Sequence, residues 1–155
     1  MTKLLSARTG ACAAALFILS ALIIGVQAAD NSPDLAQAEK DARQALDGFF
    51  TAFNAADNDA LQKYCSYPHA FVGGEGSIRI IEDRWEMNFE GMREREGWHH
   101  SSLDSARAFI VKEDKVHYEI VFSRHKADGT TYRTVPGLWI MTKQEGQWGL
   151  SLRSY

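Results

Sequence analysis

The sequence is poor in cysteine and has no pair that could form a disulfide within a folded domain. Its two cysteines are Cys12 and Cys65, and the first lies in an N-terminal apolar segment that we expect to be removed. A single remaining cysteine excludes a disulfide scaffold. The domain must therefore be held together by an apolar core, which a chain of 155 residues is long enough to form.

Patterns typical of metal sites and of nucleic-acid-binding surfaces are also missing. No histidine or cysteine recurs at the H-x-x-x-H or C-x-x-C spacing, so we predict neither a metal nor another cofactor. The formal net charge is −3 at pH 7, and lysines and arginines do not cluster in the way that phosphate contacts require. We therefore do not expect nucleic acid as a partner.

The N-terminal segment has the three-part layout of a secretory signal peptide. Lys3 and Arg8 form a basic start, an uncharged apolar run follows over residues 11–26, and residues 26–28 (VQA) form a cleavage site. We expect a signal peptide over residues 1–28, cleavage after Ala28, and a periplasmic or secreted protein that no longer contacts a membrane. The alternative is an uncleaved inner-membrane anchor, because the run approaches the roughly 18 residues that can span a bilayer.

Helical periodicity dominates the first half of the remaining chain. Residues 29–34 are a polar linker, and from Leu35 to Phe53 apolar residues recur at helical spacing. Asp57 is a predicted cap for a second, short helix that Pro68 stops. The next elements are strands 69–72 and 77–81 around a glycine loop, and a third helix from a capping box at Asp83 and Glu86 to Gly97.

The second half has the period of two that is typical of strands. Four strands are predicted over residues 106–112, 115–125, 131–143 and 147–154, and their short turn connectors make neighbours antiparallel. On the second of these, Tyr118, Ile120 and Phe122 share a face that we expect to be buried, which places Glu119 outside. The domain over residues 35–155 is therefore α+β, in the order α-α-β-β-α-β-β-β-β. A cone-shaped, curved antiparallel sheet wraps around the helices and leaves an opening at one end.

Two runs resemble the nuclear transport factor 2-like superfamily, which includes ketosteroid isomerases and SnoaL-like polyketide cyclases. Residues 49–61 (FFTAFNAADNDAL) are similar to the end of the family's first helix, and residues 146–154 (GQWGLSLRS) to its final strand. Residues 97–101 (GWHHS) and 122–129 (FSRHKADG) resemble an exported, uncharacterised branch of it. The resemblance implies the cone-shaped fold over residues 35–155. It implies no single activity, because members share the scaffold while some catalyse, some bind and some assemble.

The catalytic residues of a ketosteroid isomerase have no counterpart in this sequence. The position that aligns with the isomerase's oxyanion-donating tyrosine is Phe49, which has no hydroxyl. The position of its carboxylate base falls near Gly73, beside Glu75 in a glycine loop. Steroid isomerisation is therefore not expected.

Histidines and arginines are the candidate polar residues of the pocket. His69 and His100 are the candidate catalytic bases. Only one of His99 and His100 can face the pocket, because neighbours in a strand point to opposite sides. The predicted ligand-binding set is Tyr64, His69, Trp85, Trp98, His100, Arg124, Trp139 and Arg153. Each has a structural alternative: core packing for the aromatic residues, a structural hydrogen bond for the histidines, and a surface ion pair for the arginines.

Three functions fit these predictions. The favoured one is a small-molecule-binding domain whose ligand is apolar or carries a carboxylate, since an arginine can bind a carboxylate bidentately. The second is an isomerase, dehydratase or cyclase that uses a pocket histidine as base and an arginine as anion anchor. The third is an assembly module that forms a homodimer through the outer face of the sheet, near His117 and Val121.

Overall fold

The computed structural model describes residues 34–155, so the predicted signal peptide and nearly all of the predicted linker lie outside the described residues. The described part of the chain has three α-helices, α1 (Leu35–Asn54), α2 (Asn58–Gln62) and α3 (Phe89–Glu96), and a 3-10 turn at Gly74–Gly76. The same residues form six strands: β1 (Cys65–Val72), β2 (Ile78–Ile81), β3 (His100–Val111), β4 (Lys115–His125), β5 (Thr131–Gln144) and β6 (Gln147–Ser154). Within residues 34–155, no helix is both long and apolar enough to cross a membrane.

Side-chain caps fix the starts of the first two helices. Asp34 accepts a hydrogen bond from the Gln37 N–H (3.0 Å), and Asp57 accepts one from the Ala60 N–H (3.0 Å). Each cap satisfies an N–H group that the first helical turn leaves unpaired. Asp57 therefore caps α2 as predicted from the sequence.

The strands form one curved, unclosed sheet in the order β2-β1-β6-β5-β4-β3. The predicted α+β fold is confirmed, with one correction to the predicted antiparallel sheet: β1 and β6 run parallel. α1 packs against β3, β4, β5 and β6. Tyr118, Ile120 and Phe122 are buried while Glu119 is exposed, so the predicted inner face of β4 is also confirmed.

The third helix does not begin at the predicted capping box of Asp83 and Glu86. Residues 82–88 are irregular because other parts of the chain bind their backbone groups. Trp85 donates its N–H to the Tyr67 hydroxyl (2.9 Å), and its carbonyl accepts from the Gln62 side chain (2.8 Å). Asn58 likewise binds both the N–H (2.9 Å) and the carbonyl (3.1 Å) of Met87. These tertiary hydrogen bonds replace the helical ones.

Helix α3 takes its cap from Asn88, whose side chain accepts from the Gly91 N–H (2.8 Å). Gly97 ends the helix with a left-handed backbone (φ 69°), as predicted.

Strands β1 and β3 both begin earlier than predicted. Helix α2 ends at Gln62 rather than at Pro68, and Pro68 lies inside β1, where the pairing with β6 is irregular. At the start of β3, the Asn54 side chain binds both the N–H and the carbonyl of Ser101 (2.8 Å each). That contact orders a polar segment at the start of β3. Apolar residues do not alternate in this segment, so the sequence predicted no strand there.

Candidate functional site

A cavity of about 350 Å³ opens between α1, α3 and the inner face of the sheet. Eight of its 17 described lining residues are aromatic, and they include Phe49, Phe50, Phe71, Trp85, Phe122 and Trp139. Trp139 lies parallel to Phe50 (ring centroids 5.6 Å apart, 12° between planes), and Phe49 lies nearly parallel to Trp85 (6.1 Å, 11°). These mutually packed rings give the cavity flat walls.

A bulge in β6 brings Arg153 into this cavity. Leu150 pairs with Met141, but the next pairs are Leu152 with Ile140 and Arg153 with Trp139, so Ser151 is the extra residue. An extra residue exchanges the two faces of a strand from that point onward. Arg153 therefore shares the inner face with Trp139, whereas uninterrupted alternation from Trp148 and Leu150 would place it on the outer face.

Arg153 is a buried guanidinium, only 4% exposed, that contacts no carboxylate among residues 34–155. Its Nε–H donates to His69 Nε2 (3.1 Å), and its Cζ lies 4.0 Å from the centre of the Trp85 ring. Its Nη2 has no hydrogen-bond partner. Burial lowers the pKa of Arg153 from its ordinary value, but an arginine remains charged in proteins.

His69 holds Arg153 in place and has no free nitrogen. Its Nδ1 lies 2.9 Å from the Leu150 carbonyl, which can only accept, so Nδ1 carries the proton and Nε2 accepts from Arg153. Burial, and then the charge of Arg153, lower the pKa of His69 to about 4. The imidazole is therefore neutral near pH 7.

The mouth of the cavity carries further arginines. Arg79, Arg95 and Arg133 are exposed and line it, and Arg124 lies deeper, with 12% of its side chain exposed. Arg124 Nη1 donates to Glu96 (2.8 Å), the only acid in the described lining.

Three buried nitrogen atoms in the lining have no hydrogen-bond acceptor among the described residues: Arg124 Nε, Trp139 Nε1 and Arg153 Nη2. All three are N–H donors, and two belong to cations. A ligand that completes these bonds must present acceptor atoms, and anionic acceptors form the strongest bonds with a guanidinium.

Half of the predicted ligand-binding residues line the cavity: Trp85, Arg124, Trp139 and Arg153. Tyr64, Trp98, His69 and His100 are not among the described lining residues, so the structure does not bring these four to the cavity. Tyr64 packs over Gly48 and borders a groove on the surface. Trp98 is buried against Phe53 and Phe89.

The adjacent histidines form a separate cluster outside the cavity. The His100 ring stacks on His125 (4.6 Å, 19°), and its Nδ1 lies 3.2 Å from His99 Nδ1. Burial, and then His125 and His99, lower the pKa of His100. Within residues 34–155, no group of three or more histidine, cysteine, aspartate or glutamate side chains is arranged to hold a metal ion.

Sequence reasoning missed Arg79, Arg95 and Arg133 as lining residues. Arg133 could have been found by counting outward from the turn at Asp128 and Gly129, which brings it opposite Arg124. For Arg79 no such signal existed, since its apolar neighbours Ile78 and Ile80 face solvent.

The family model described as NTF2-like protein (DUF6841) matches residues 38–152. No curated protein matches significantly. Among solved structures, a Nostoc punctiforme protein of unknown function with a cystatin-like fold is similar, with 16% identity and a TM-score of 0.61 over 77% of this chain and 90% of that one.

Two further solved structures share this fold. A Catenulispora acidiphila protein in complex with S-DNPA has 11% identity and a TM-score of 0.58, covering 76% of this chain and 91% of its own. The association domain of C. elegans CaMKII has 16% identity and a TM-score of 0.53, covering 79% and 98%. Likeness at such low identity establishes the fold alone.

Proposed function

The chain belongs to the NTF2-like protein family DUF6841, and from this premise we propose that it is a binding domain for a small apolar molecule that carries a carboxylate. The observation that carries the proposal is the buried, carboxylate-free guanidinium of Arg153 on the wall of an aromatic cavity.

A buried charge without a counter-ion is unfavourable, because burial removes its hydration without replacing it. His69 and the Trp85 ring compensate Arg153 only in part, since one is neutral and the other offers only a weak cation–π contact. A carboxylate at the free Nη2 supplies both the missing charge and the missing acceptor.

The aromatic walls select the body of the ligand. Phe49, Phe50 and Trp139 line the cavity, and Trp139 packs edge to face on Phe49 and parallel to Phe50. Burial of these aromatic surfaces is most favourable when a flat apolar group covers them. The neighbour described in complex with S-DNPA supports a ligand-holding role for this scaffold.

The geometry favours binding over catalysis by proton transfer. A general base needs a free lone pair within reach of the substrate, but both nitrogens of His69 are already bonded. His100 lies outside the cavity. Glu96 accepts hydrogen bonds from Arg124 (2.8 Å) and from the Tyr132 hydroxyl (3.0 Å) through Oε2 alone, but no second acidic side chain and no histidine stands beside it in the described lining.

Isothermal titration of the full chain with three related arenes tests this proposal. We expect naphthoate to bind at least about tenfold more tightly than naphthamide or naphthalene, because a hydrogen bond to a charged group is stronger than a neutral one. Arg153→Met should remove this preference. Arg107→Met is the matched control, since Arg107 lies on the outer face and pairs with Glu119. Equal affinity for acid and amide, or no effect of Arg153→Met, would contradict the proposal.

Export is a further part of the proposal. It is supported by the basic start, the apolar run and the cleavage site within residues 1–28. The intact mass of the protein recovered outside the cytoplasm should correspond to residues 29–155. A full-length mass in the membrane fraction would favour the anchored alternative.

Self-association through the outer face of the sheet is the second candidate. That face has a groove lined by Phe109 and Leu138, which are 43% and 36% exposed, and the structural neighbour from CaMKII is described as an association domain. The predicted contact residue His117 packs against Phe109 (5.8 Å). Sedimentation velocity should show a dimer that Phe109→Arg dissociates. A wild-type monomer at every concentration would exclude this candidate.

A further inference from the structure

The cavity has a second cationic group, distinct from Arg153, in the cross-strand pair of Arg124 and Arg133. From it we infer, building on the proposed function, that the ligand is an elongated dianion with one acidic group at Arg153 and a second at this pair.

Arg124 on β4 lies directly opposite Arg133 on β5. Residues directly opposite in an antiparallel pair have their Cβ atoms about 4.5–5.5 Å apart, and like charges at such positions destabilise the sheet. Both side chains line the cavity, so neither arginine avoids the other by facing the outer side. An anion between the two guanidinium groups converts this repulsion into binding.

The protein supplies too little negative charge to neutralise the pair. Glu96 binds Nη1 of Arg124, but the buried Nε of Arg124 has no acceptor, and Arg133 forms no ion pair within residues 34–155. Among the lining side chains of residues 34–155, five arginines face one glutamate. This excess of positive charge stands out in a chain whose formal net charge is −3, so a single carboxylate leaves most of it uncompensated.

The two cationic groups lie on different sides of the cavity. The Arg153 guanidinium lies over Trp85 and near the ring of Phe71 on β1, while Arg124 is tied to Glu96 on α3. Arg153 on β6 pairs with Trp139 on β5, and Arg133 lies six residues from Trp139 on that strand, which at about 3.4 Å per residue gives roughly 20 Å between the backbone positions. The aromatic wall occupies the space between them. A carboxylate bound at Arg153 therefore leaves the Arg124–Arg133 pair free to bind another acidic group.

The order of burial fits this assignment. Arg153 is 4% exposed, the Arg124 side chain is 12% exposed, and Arg133 is exposed. One acid of the ligand is thus desolvated on the inner wall, while the other is held at the mouth, where salt screens it more strongly.

The test compares naphthoate with a naphthalene dicarboxylate whose acids lie at opposite ends, titrated into the full chain. We expect the dicarboxylate to bind about tenfold or more tightly than the monoacid, because the second acid gains charge-assisted hydrogen bonds. In Arg133→Gln this ratio should fall to about one. Arg107→Gln, on the outer face, should keep the wild-type ratio.

The outcomes separate this inference from the proposed function. If both acids bind equally in wild type, or Arg133→Gln keeps the ratio, the dianion assignment is wrong while a monoacid site stands. If neither acid binds, the proposed function fails as well. Arg133→Gln should melt no lower than wild type, because it relieves a like-charge contact, so loss of folding cannot explain a lost ratio.

Discussion

At the scale of single residues, Arg153 and His69 act as one unit. His69 donates a hydrogen bond to the Leu150 carbonyl and accepts one from the Arg153 guanidinium. Without a ligand, a buried cation of this kind lowers the free energy of unfolding. Such a loss of stability in favour of function is common in binding sites. His69 is thus a positioning residue in this account, and Arg153 is the residue that contacts the ligand.

The first prediction concerns the stability of Arg153→Met. The substitution removes a buried charge without a carboxylate partner but also leaves the buried His69 Nε2 without its donor. These two effects oppose each other, so the free energy of unfolding should fall by no more than about 1 kcal/mol. Urea denaturation of the full chain measures this change. A loss of more than about 1 kcal/mol, the scale of a typical buried hydrogen bond, would mean that Arg153 is mainly a structural residue.

The second prediction concerns acid sensitivity. The pKa of His69 is about 4 in the folded protein against an ordinary value of 6.5, so the unfolded chain takes up the proton first. The contribution of His69 to the free energy of unfolding should therefore be fully present above about pH 6.5 and be lost as the pH falls toward 4.

His69→Asn isolates this contribution, because asparagine does not titrate and offers both a donor and an acceptor. Between about pH 7 and pH 4.5, wild type should lose about 2 kcal/mol more than the variant. Urea denaturation at both pH values measures the difference. Parallel losses in the two proteins would show that His69 does not couple to folding.

The sequence allowed Arg153 to be named as a candidate but did not allow its surroundings to be derived. The bulge at Ser151 decides its face, and no local pattern in Gln147–Ser154 signals a bulge. His100 was also named as a candidate base, but its ring stacks on His125 from the adjacent strand and is not part of the described lining. Sequence spacing alone does not reveal this cross-strand contact.

At the scale of elements, the parallel contact of β1 with β6 shapes the inner end of the cavity. Gly149 makes this contact possible, since a Cβ there would lie 2.8 Å from backbone atoms of Cys65 and Ser66. Backbone atoms cannot move aside as the tip of a side chain can.

The third prediction follows from that close approach. Gly149→Ala should lower the free energy of unfolding by about 1–3 kcal/mol, because the added methyl group overpacks the strand pair. Gly74→Ala is the control, since a Cβ at Gly74 meets no atom within 4 Å. Equal melting temperatures for the two variants would refute this account of the β1–β6 contact.

The elements that periodicity predicted well are those whose own side chains determine them. α1, β4 and β6 have apolar residues in regular repeats and appear close to the predicted bounds. The irregular residues 82–88 were predicted to be helical because Asp83 and Glu86 fit a local capping pattern. Asn58, Gln62 and Tyr67 overrule that pattern from elsewhere in the chain, and no local pattern can reveal such contacts.

At the scale of the whole molecule, charge is distributed unevenly. The chain is acidic overall, with a formal net charge of −3, yet the cavity gathers five arginines from β2, α3, β4, β5 and β6. A concave site lined by one sign of charge concentrates ligands of the opposite sign. Composition alone indicated only that nucleic acid is not an expected partner. It did not reveal the cluster, because these arginines are scattered between residues 79 and 153 and converge only in the fold.

The most direct test of the account is a crystal structure of the full chain with bound naphthoate. We expect the arene between the aromatic walls and a carboxylate oxygen about 2.7–2.9 Å from Arg153 Nη2, the distance of a charge-assisted hydrogen bond. Naphthoate bound elsewhere, with Arg153 turned away from the cavity or paired with a protein carboxylate, would contradict the central claim.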